Sequence, residues 1–260
     1  MLLASSKKYF SLCVLAMGLS LASLAGCALF SDHYDKMSAD QLLEEGKMLM
    51  KKKSYRKAEE VFKKFTEKHP NHETMDFATM SLGDAIYYQG ERYLEADFQY
   101  VNFIELYPVH PNVDRAYFYK AMCSYQQMEA FNRDQTNTMD ALKNFEIIVT
   151  QFPKSKYYKP AEKYIKECKT HLAKNLFYIG KYYFKVRAHQ STILRMTELL
   201  ETYPDFESND EALFLIAESY FNEESYEKAV EFYREFLKKF PKSGFRSDAV
   251  SRLRTLKAEH

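Results

Sequence analysis

Five prolines, each preceded by an aromatic or imidazole ring, punctuate this chain, and no other feature limits its fold as tightly. His69-Pro70, Tyr107-Pro108, Phe152-Pro153, Tyr203-Pro204 and Phe240-Pro241 are separated by 38, 45, 51 and 37 residues. Proline lacks the N–H that a helix needs and its ring clashes with the preceding turn, so each marks a helix end. Twelve residues before the prolines stand Ala58, Ala96, Ala141, Thr192 and Ala229. Eight before stand Phe62, Tyr100, Phe145, Met196 and Tyr233; five before stand Phe65, Phe103, Ile148, Leu199 and Phe236. Steps of four and three place these residues on one helix face. Twenty-four residues before four of the prolines lie Gly46, Asp84, Gly180 and Ala217, followed three later by Leu49, Tyr87, Tyr183 and Tyr220. This earlier helix carries a small residue where its partner carries a bulky one, so the pair can approach closely.

The period is near or somewhat above that of tetratricopeptide repeats, which are helix–turn–helix units of about 34 residues. The predicted fold is all-α: a right-handed tetratricopeptide-repeat solenoid of five helix pairs plus a C-terminal capping helix, one body rather than two domains. Repeats fall at about 38–70, 73–108, 112–153, 157–204 and 208–241, with the cap at 244–257. The third keeps register only with an insertion near Glu129 to Asn137, which brings Ala121 onto the small position. Residues 157–170 read as helix, which predicts a long first helix for repeat four. Ser38 with Gln41 and Ser208 with Glu211 have the spacing of capping boxes, and Ser54 and Ser225 stand where second helices begin. Only seven glycines and seven prolines in 260 residues argue against turn-rich sandwiches and barrels, while 21 Tyr and 20 Phe supply packing.

The N-terminus has a different character. Lys7 and Lys8 precede an uncharged apolar run from Tyr9 to Leu24 that ends in Leu24-Ala25-Gly26-Cys27. Sixteen residues fall short of the roughly 20 needed to span a bilayer, so the run reads as an export signal. Its ending resembles the bacterial lipobox, which implies removal of residues 1–26, a covalent lipid on Cys27 and a tether over 27–37. An ordinary signal peptide with an incidental cysteine is the other reading. Ala28, rather than Asp, favours delivery to the outer membrane under the enterobacterial sorting rule. Cys123 and Cys168 could then pair in an oxidising compartment or serve as small buried residues.

Lys+Arg number 37 against 36 Asp+Glu, a balance that excludes a nucleic-acid binder's basic footprint. No CxxC, HExxH, P-loop or GxGxxG occurs. His69 and His72 with Glu73 are too few for a metal site, which needs three or four converging ligands, and fit a solvated turn. The chain is therefore expected to be a cofactor-free binding scaffold, not an enzyme. The runs around Tyr87-Tyr88, Tyr117 and Tyr182-Tyr183 either pack repeat against repeat or line a peptide groove, where aromatics anchor well.

A more particular pattern covers residues 103–114. Phe103, Ile104, Leu106, Pro108, His110, Pro111, Asn112 and Asp114 resemble the F-I-x-L-x-P-x-H-P-N-x-D stretch of the ComL/YfiO family of outer-membrane assembly lipoproteins. The insertion carrying Arg133-Asp134 is similar to that family's Arg-Asp loop. The resemblance implies a non-catalytic subunit of the machinery that inserts β-barrel proteins into the outer membrane, facing the periplasm. It implies C-terminal repeats that dock the POTRA domain of a BamA-like barrel protein. It also implies N-terminal repeats that receive the C-terminal signal of nascent barrel proteins, and contacts with other assembly lipoproteins. Tyr87, Tyr88 and Tyr117 are the candidate groove residues. Arg195, within Leu194 to Leu200, matches the docking arginine, although it can equally pair with Glu198 on its own helix. A different tetratricopeptide lipoprotein, such as a pilotin for type IV pilus secretins, shares the signal and the repeats but should lack the motifs at His110 and Arg133.

Overall fold

A computed structural model describes residues 33–259; Cys27, the export signal and most of the expected tether lie outside the described residues. From Ala39 onward the chain is a succession of helices: α1 Ala39–Lys51, α2 Tyr55–Lys68, α3 Met75–Tyr87, α4 Tyr93–Leu106, α5 Val113–Gln126, α6 Thr136–Gln151, α7 Tyr158–Lys185, α8 His189–Thr202, α9 Asn209–Asn222, α10 Tyr226–Lys239 and α11 Arg246–Glu259. The fold is an all-α tetratricopeptide array. Contacts gather the chain into two compact units, one ending at Ala116 and the other beginning at Tyr117. The long first helix of repeat four is α7, at 28 residues. The insertion of repeat three is the loop between α5 and α6.

All five second helices end as their prolines require. The residue before each proline makes a last i→i−4 bond: His69 to Phe65, Tyr107 to Phe103, Phe152 to Ile148, Tyr203 to Leu199 and Phe240 to Phe236, at 2.8–3.0 Å. The fifteen residues at the positions twelve, eight and five before the prolines are all 0 % exposed. Thr192 fits among alanines because its hydroxyl donates back to the Ala188 carbonyl at 3.3 Å, which spares it an unpaired polar atom. Burying each large side chain contributes about 1.5–3 kcal/mol before entropy is counted.

The small positions hold as read. A Cβ on Gly46 would lie 2.6 Å from the Phe62 ring, and one on Gly180 would lie 2.7 Å from the Met196 methyl. Each glycine thus admits the bulky residue of the partner helix into van der Waals contact with backbone.

The caps divide. Ser38 is extended at φ −72, ψ 168; its Oγ accepts from the Gln41 N–H at 3.3 Å while Gln41 Oε1 accepts from the Ser38 N–H at 2.9 Å. Ser54, Ser208 and Ser225 occupy N-cap positions but accept no capping bond. Two of these serines close Schellman turns instead. Lys53 sits at φ 57 and Glu224 at φ 59, and the N–H groups of Ser54 and Ser225 reach Leu49 and Tyr220 at 2.9 and 3.0 Å. That geometry satisfies the end of the preceding helix and turns the hydroxyl away from the next one. Glu211, expected to complete the second capping box, reaches Lys181 at 2.6 Å.

Cys123 and Cys168 are both buried thiols rather than a disulfide, and burial pushes the Cys168 thiol up to about 12. Neither should react with iodoacetamide at pH 8 until the chain is unfolded; rapid native labelling would contradict this burial.

Gly46→Ala should cost about 1–3 kcal/mol in urea denaturation, because the Phe62 ring is rigid and fully buried. Gly180→Ala should cost less, because the unbranched Met196 side chain, whose methyl and sulfur would lie 2.7 and 2.9 Å from the new Cβ, can change rotamer where the Phe62 ring cannot. Equal losses would show that ring rigidity does not set the helix spacing.

Candidate functional site

The His-Pro-Asn stretch builds a turn. His110 Nε2 lies 2.9 Å from an Asp76 carboxylate oxygen, and its Nδ1 accepts the Asn112 N–H at 3.0 Å. The ring stands edge-on to Phe103 at 5.2 Å. Asp114, in the first turn of α5, accepts the Arg115 N–H at 2.8 Å, while Pro111 and Asn112 stay exposed. These residues lie in the first unit and fix the α4–α5 connection. His69 and His72, expected in a solvated turn, instead pack on Phe65 at 5.7 and 5.3 Å.

The Arg133-Asp134 loop belongs to the second unit, and both side chains are exposed. Asp134 accepts the Thr136 N–H at 2.9 Å, and this bond holds its carboxyl below the usual range. Beneath the loop, Gln135 is 8 % exposed and donates to the carbonyls of Ala130 and Arg133 at 3.0 Å. Two side chains of α7 hold the loop from the other side. His171 Nε2 donates to the Glu129 carbonyl at 2.8 Å, and Asn175 donates to the Phe131 carbonyl at 2.7 Å. Sequence spacing gave no signal for Gln135, His171 or Asn175, since their partners lie on loop carbonyls.

Tyr88 is 42 % exposed and stacks on Tyr55 at 5.3 Å, and Tyr87 meets Tyr93 edge-on at 5.6 Å. The structure brings Tyr87 and Tyr88 into one aromatic cluster of the first unit. Tyr117 belongs to the second, half-buried against Phe152 at 5.6 Å. Arg195 points off the core of α8, as its position beside Met196 requires, and its guanidinium meets Glu198 at 2.7 Å. Both partners are about two-fifths exposed, so the pair contributes at most about 1 kcal/mol. Leu194 beside it is 63 % exposed.

Two buried acids were not singled out as a site. Asp84 holds a small position of repeat two, 4 % exposed, and accepts the Tyr100 hydroxyl at 3.0 Å and the Arg115 guanidinium. In repeat five, Glu218 is 8 % exposed. It accepts the Tyr233 hydroxyl and both Arg252 Nε and Nη2 at 2.9 and 3.0 Å. The signal was available: repeats two and five alone carry Tyr, not Phe or Met, eight residues before the proline. A buried phenol needs an acceptor. A buried carboxylate then needs a cation, which the following helix supplies.

Burial pushes the Asp84 carboxyl up, against the pull of Arg115 and the Tyr100 hydroxyl. Arg115→Met should remove the opposing charge beside Asp84 and cost about 3–5 kcal/mol near neutrality. An acid whose folded pKa exceeds its unfolded one loses stability as pH rises through the folded value. The deficit against wild type should therefore be larger at pH 8 than at pH 5. A pH-independent deficit would mean that Arg115 acts through packing alone.

Among the described residues, no three His, Cys, Asp or Glu side chains converge as metal ligands, and no helix is long and apolar enough to cross a membrane.

Comparison with known proteins gives consistent matches. The YfiO family model, described as outer membrane lipoprotein, matches residues 35–225, and a tetratricopeptide-repeat model matches residues 211–243. The chain is 31 % identical over 198 residues to the outer membrane protein assembly factor BamD of Rickettsia prowazekii, covering 76 % of this chain and 78 % of that one. It is 29 % identical over 210 residues to BamD of Caulobacter vibrioides, covering 79 % and 68 %. Against BamD of Haemophilus influenzae it is 26 % identical over 226 residues, covering 82 % and 84 %.

Proposed function

This chain belongs to the YfiO family of outer membrane lipoproteins, and on that premise we propose that it is a lipid-anchored, periplasm-facing scaffold subunit of the β-barrel assembly machinery. The observation that carries the reading is the run of similarity over residues 35–225 to a family whose relatives are named assembly factors. In this reading Cys27 bears the lipid that holds the repeats at the membrane. The chain works as a non-catalytic scaffold that binds two kinds of partner.

The first is the POTRA region of the barrel-forming subunit, docked through Arg195. A planar guanidinium grips a carboxylate with two parallel hydrogen bonds, which lysine cannot do. Its present partner, Glu198, is weakly held and can be exchanged for an acidic residue of the POTRA domain, with exposed Leu194 adding apolar contact. The second is the C-terminal signal of nascent barrel proteins. We assign it to repeats one to three, where Tyr87 and Tyr88 of the first unit and, separately, Tyr117 of the second are the candidate aromatic contacts.

From detergent-solubilised membranes, the tagged chain should co-purify a POTRA-bearing barrel protein. Arg195→Ala should weaken binding to the purified POTRA domain by at least tenfold while leaving the melting temperature nearly unchanged, and Cys27→Ser should move the chain to the soluble fraction. Absence of any POTRA protein, or equal affinity for mutant and wild type, would overturn the docking assignment.

A further inference from the structure

The insertion loop of repeat three builds something beyond its own turn. Pinned to α7 through His171 and Asn175, it places the Phe131 ring edge-on to Tyr178 at 5.8 Å. On the far side, Phe206 meets Phe177 edge-on at 5.7 Å. Between them runs an open cleft of about 770 Å³ along α7, wholly within the second unit. Its floor is one helix face: Lys174, Tyr178, Lys181 and Lys185 recur at steps of four, three and four, with Tyr182 beside them. Phe131, Tyr178 and Tyr182 are 39 %, 47 % and 57 % exposed, more aromatic surface than packing within the repeat requires.

The charges of this face are unevenly used. Lys181 lies over the Phe177 ring at 5.1 Å and pairs with Glu211 at 2.6 Å. Lys174 and Lys185, both exposed, pair with no carboxylate among the described residues. Glu207 is the cleft's acidic lining residue against three lysines. The two available ammoniums stand eleven residues apart, about 16 Å along the helix, too far for one carboxylate to satisfy both. An extended chain covers that distance in about five residues. Carboxylates four or six positions apart share a face of such a chain, and the flexible lysine stems take up the difference.

We propose that this cleft is a docking site for an extended segment of a partner protein in which two acidic side chains flank an aromatic one on the same face. The acids would meet Lys174 and Lys185, and the central ring would enter between Phe131, Tyr178 and Tyr182. The occupant is specified as an internal segment rather than a chain terminus, because the cations are spread along the helix and do not converge. The cleft shares no lining residue with the Arg195 contact or with the Tyr87 cluster.

The test uses the mature chain and a blocked peptide, acetyl-Gly-Asp-Ser-Phe-Ser-Asp-Gly-amide, titrated by calorimetry and by fluorescence polarisation of a labelled copy. Binding should be salt-dependent. It should fall at least tenfold when both Asp are replaced by Asn, at least tenfold for Lys174→Glu with Lys185→Glu, and similarly for Phe131→Ala with Tyr178→Ala. The lysine pair should also flatten the salt dependence, while the aromatic pair should leave its slope intact. POTRA co-purification should survive all four substitutions, so loss of this site and loss of the docking contact can be told apart. No binding at millimolar peptide, equal binding of the Asn peptide, an unaffected charge-reversed variant, or binding only by a peptide with a free C-terminal carboxylate would each overturn the proposal.

Discussion

In repeats one and four the distance between the two helices is set by a side chain missing from one and a bulky one on the other. Gly46 receives the Phe62 ring and Gly180 receives the end of Met196, each close enough that a single methyl would collide. Everything downstream follows from that closeness. The rows at Ala58, Phe62 and Phe65, and their four counterparts, are sealed from water on the inner faces. The prolines then stop each second helix before it can outrun its partner. Interior packing therefore consumes one face of each helix and leaves the outer faces and loops to carry recognition.

The interlock has two polar variants. Where the bulky residue is tyrosine, its hydroxyl would be orphaned against an apolar small position, so an acid stands there or next to it. Asp84 joins Tyr100 to Arg115, and Glu218 joins Tyr233 to Arg252. Such buried networks are weak evidence for net stability, because desolvating the charges offsets most of the attraction. Their geometry is demanding, however, and an arginine from the following helix can complete them only in one register. Arg252 also lies over the Phe221 ring at 4.3 Å, which fixes that register further.

Much of this was legible in the sequence, and what was not has a common cause. The fifteen buried positions, the five helix ends, the length of α7 and the insertion all follow from periodicity and proline, which are local signals. Ser38 capped as its spacing implied, but Ser54 and Ser225 did not. Their conformation is dictated by the αL residue just before them, which lysine and glutamate do not advertise as glycine would. Gln135, His171 and Asn175 went unread because their partners are carbonyls, identical in every residue. Asp84 sat in plain view at a small position; its meaning lay in pairing it with Tyr100, sixteen residues on. Arg195 sits off the core as read, and on the folded chain it is paired with Glu198.

Family membership places the chain among outer membrane lipoproteins whose relatives are named assembly factors. We propose that the folded repeats speed barrel assembly by holding the barrel-forming subunit and its client together. The most direct measurement is reconstitution: the barrel-forming subunit in proteoliposomes, with and without the lipidated chain, given an unfolded outer-membrane protein and scored for folded, heat-modifiable barrel over time. Inclusion of the chain should raise the folding rate, and the rise should disappear with Arg195→Ala. Identical rates with and without the chain would contradict this account.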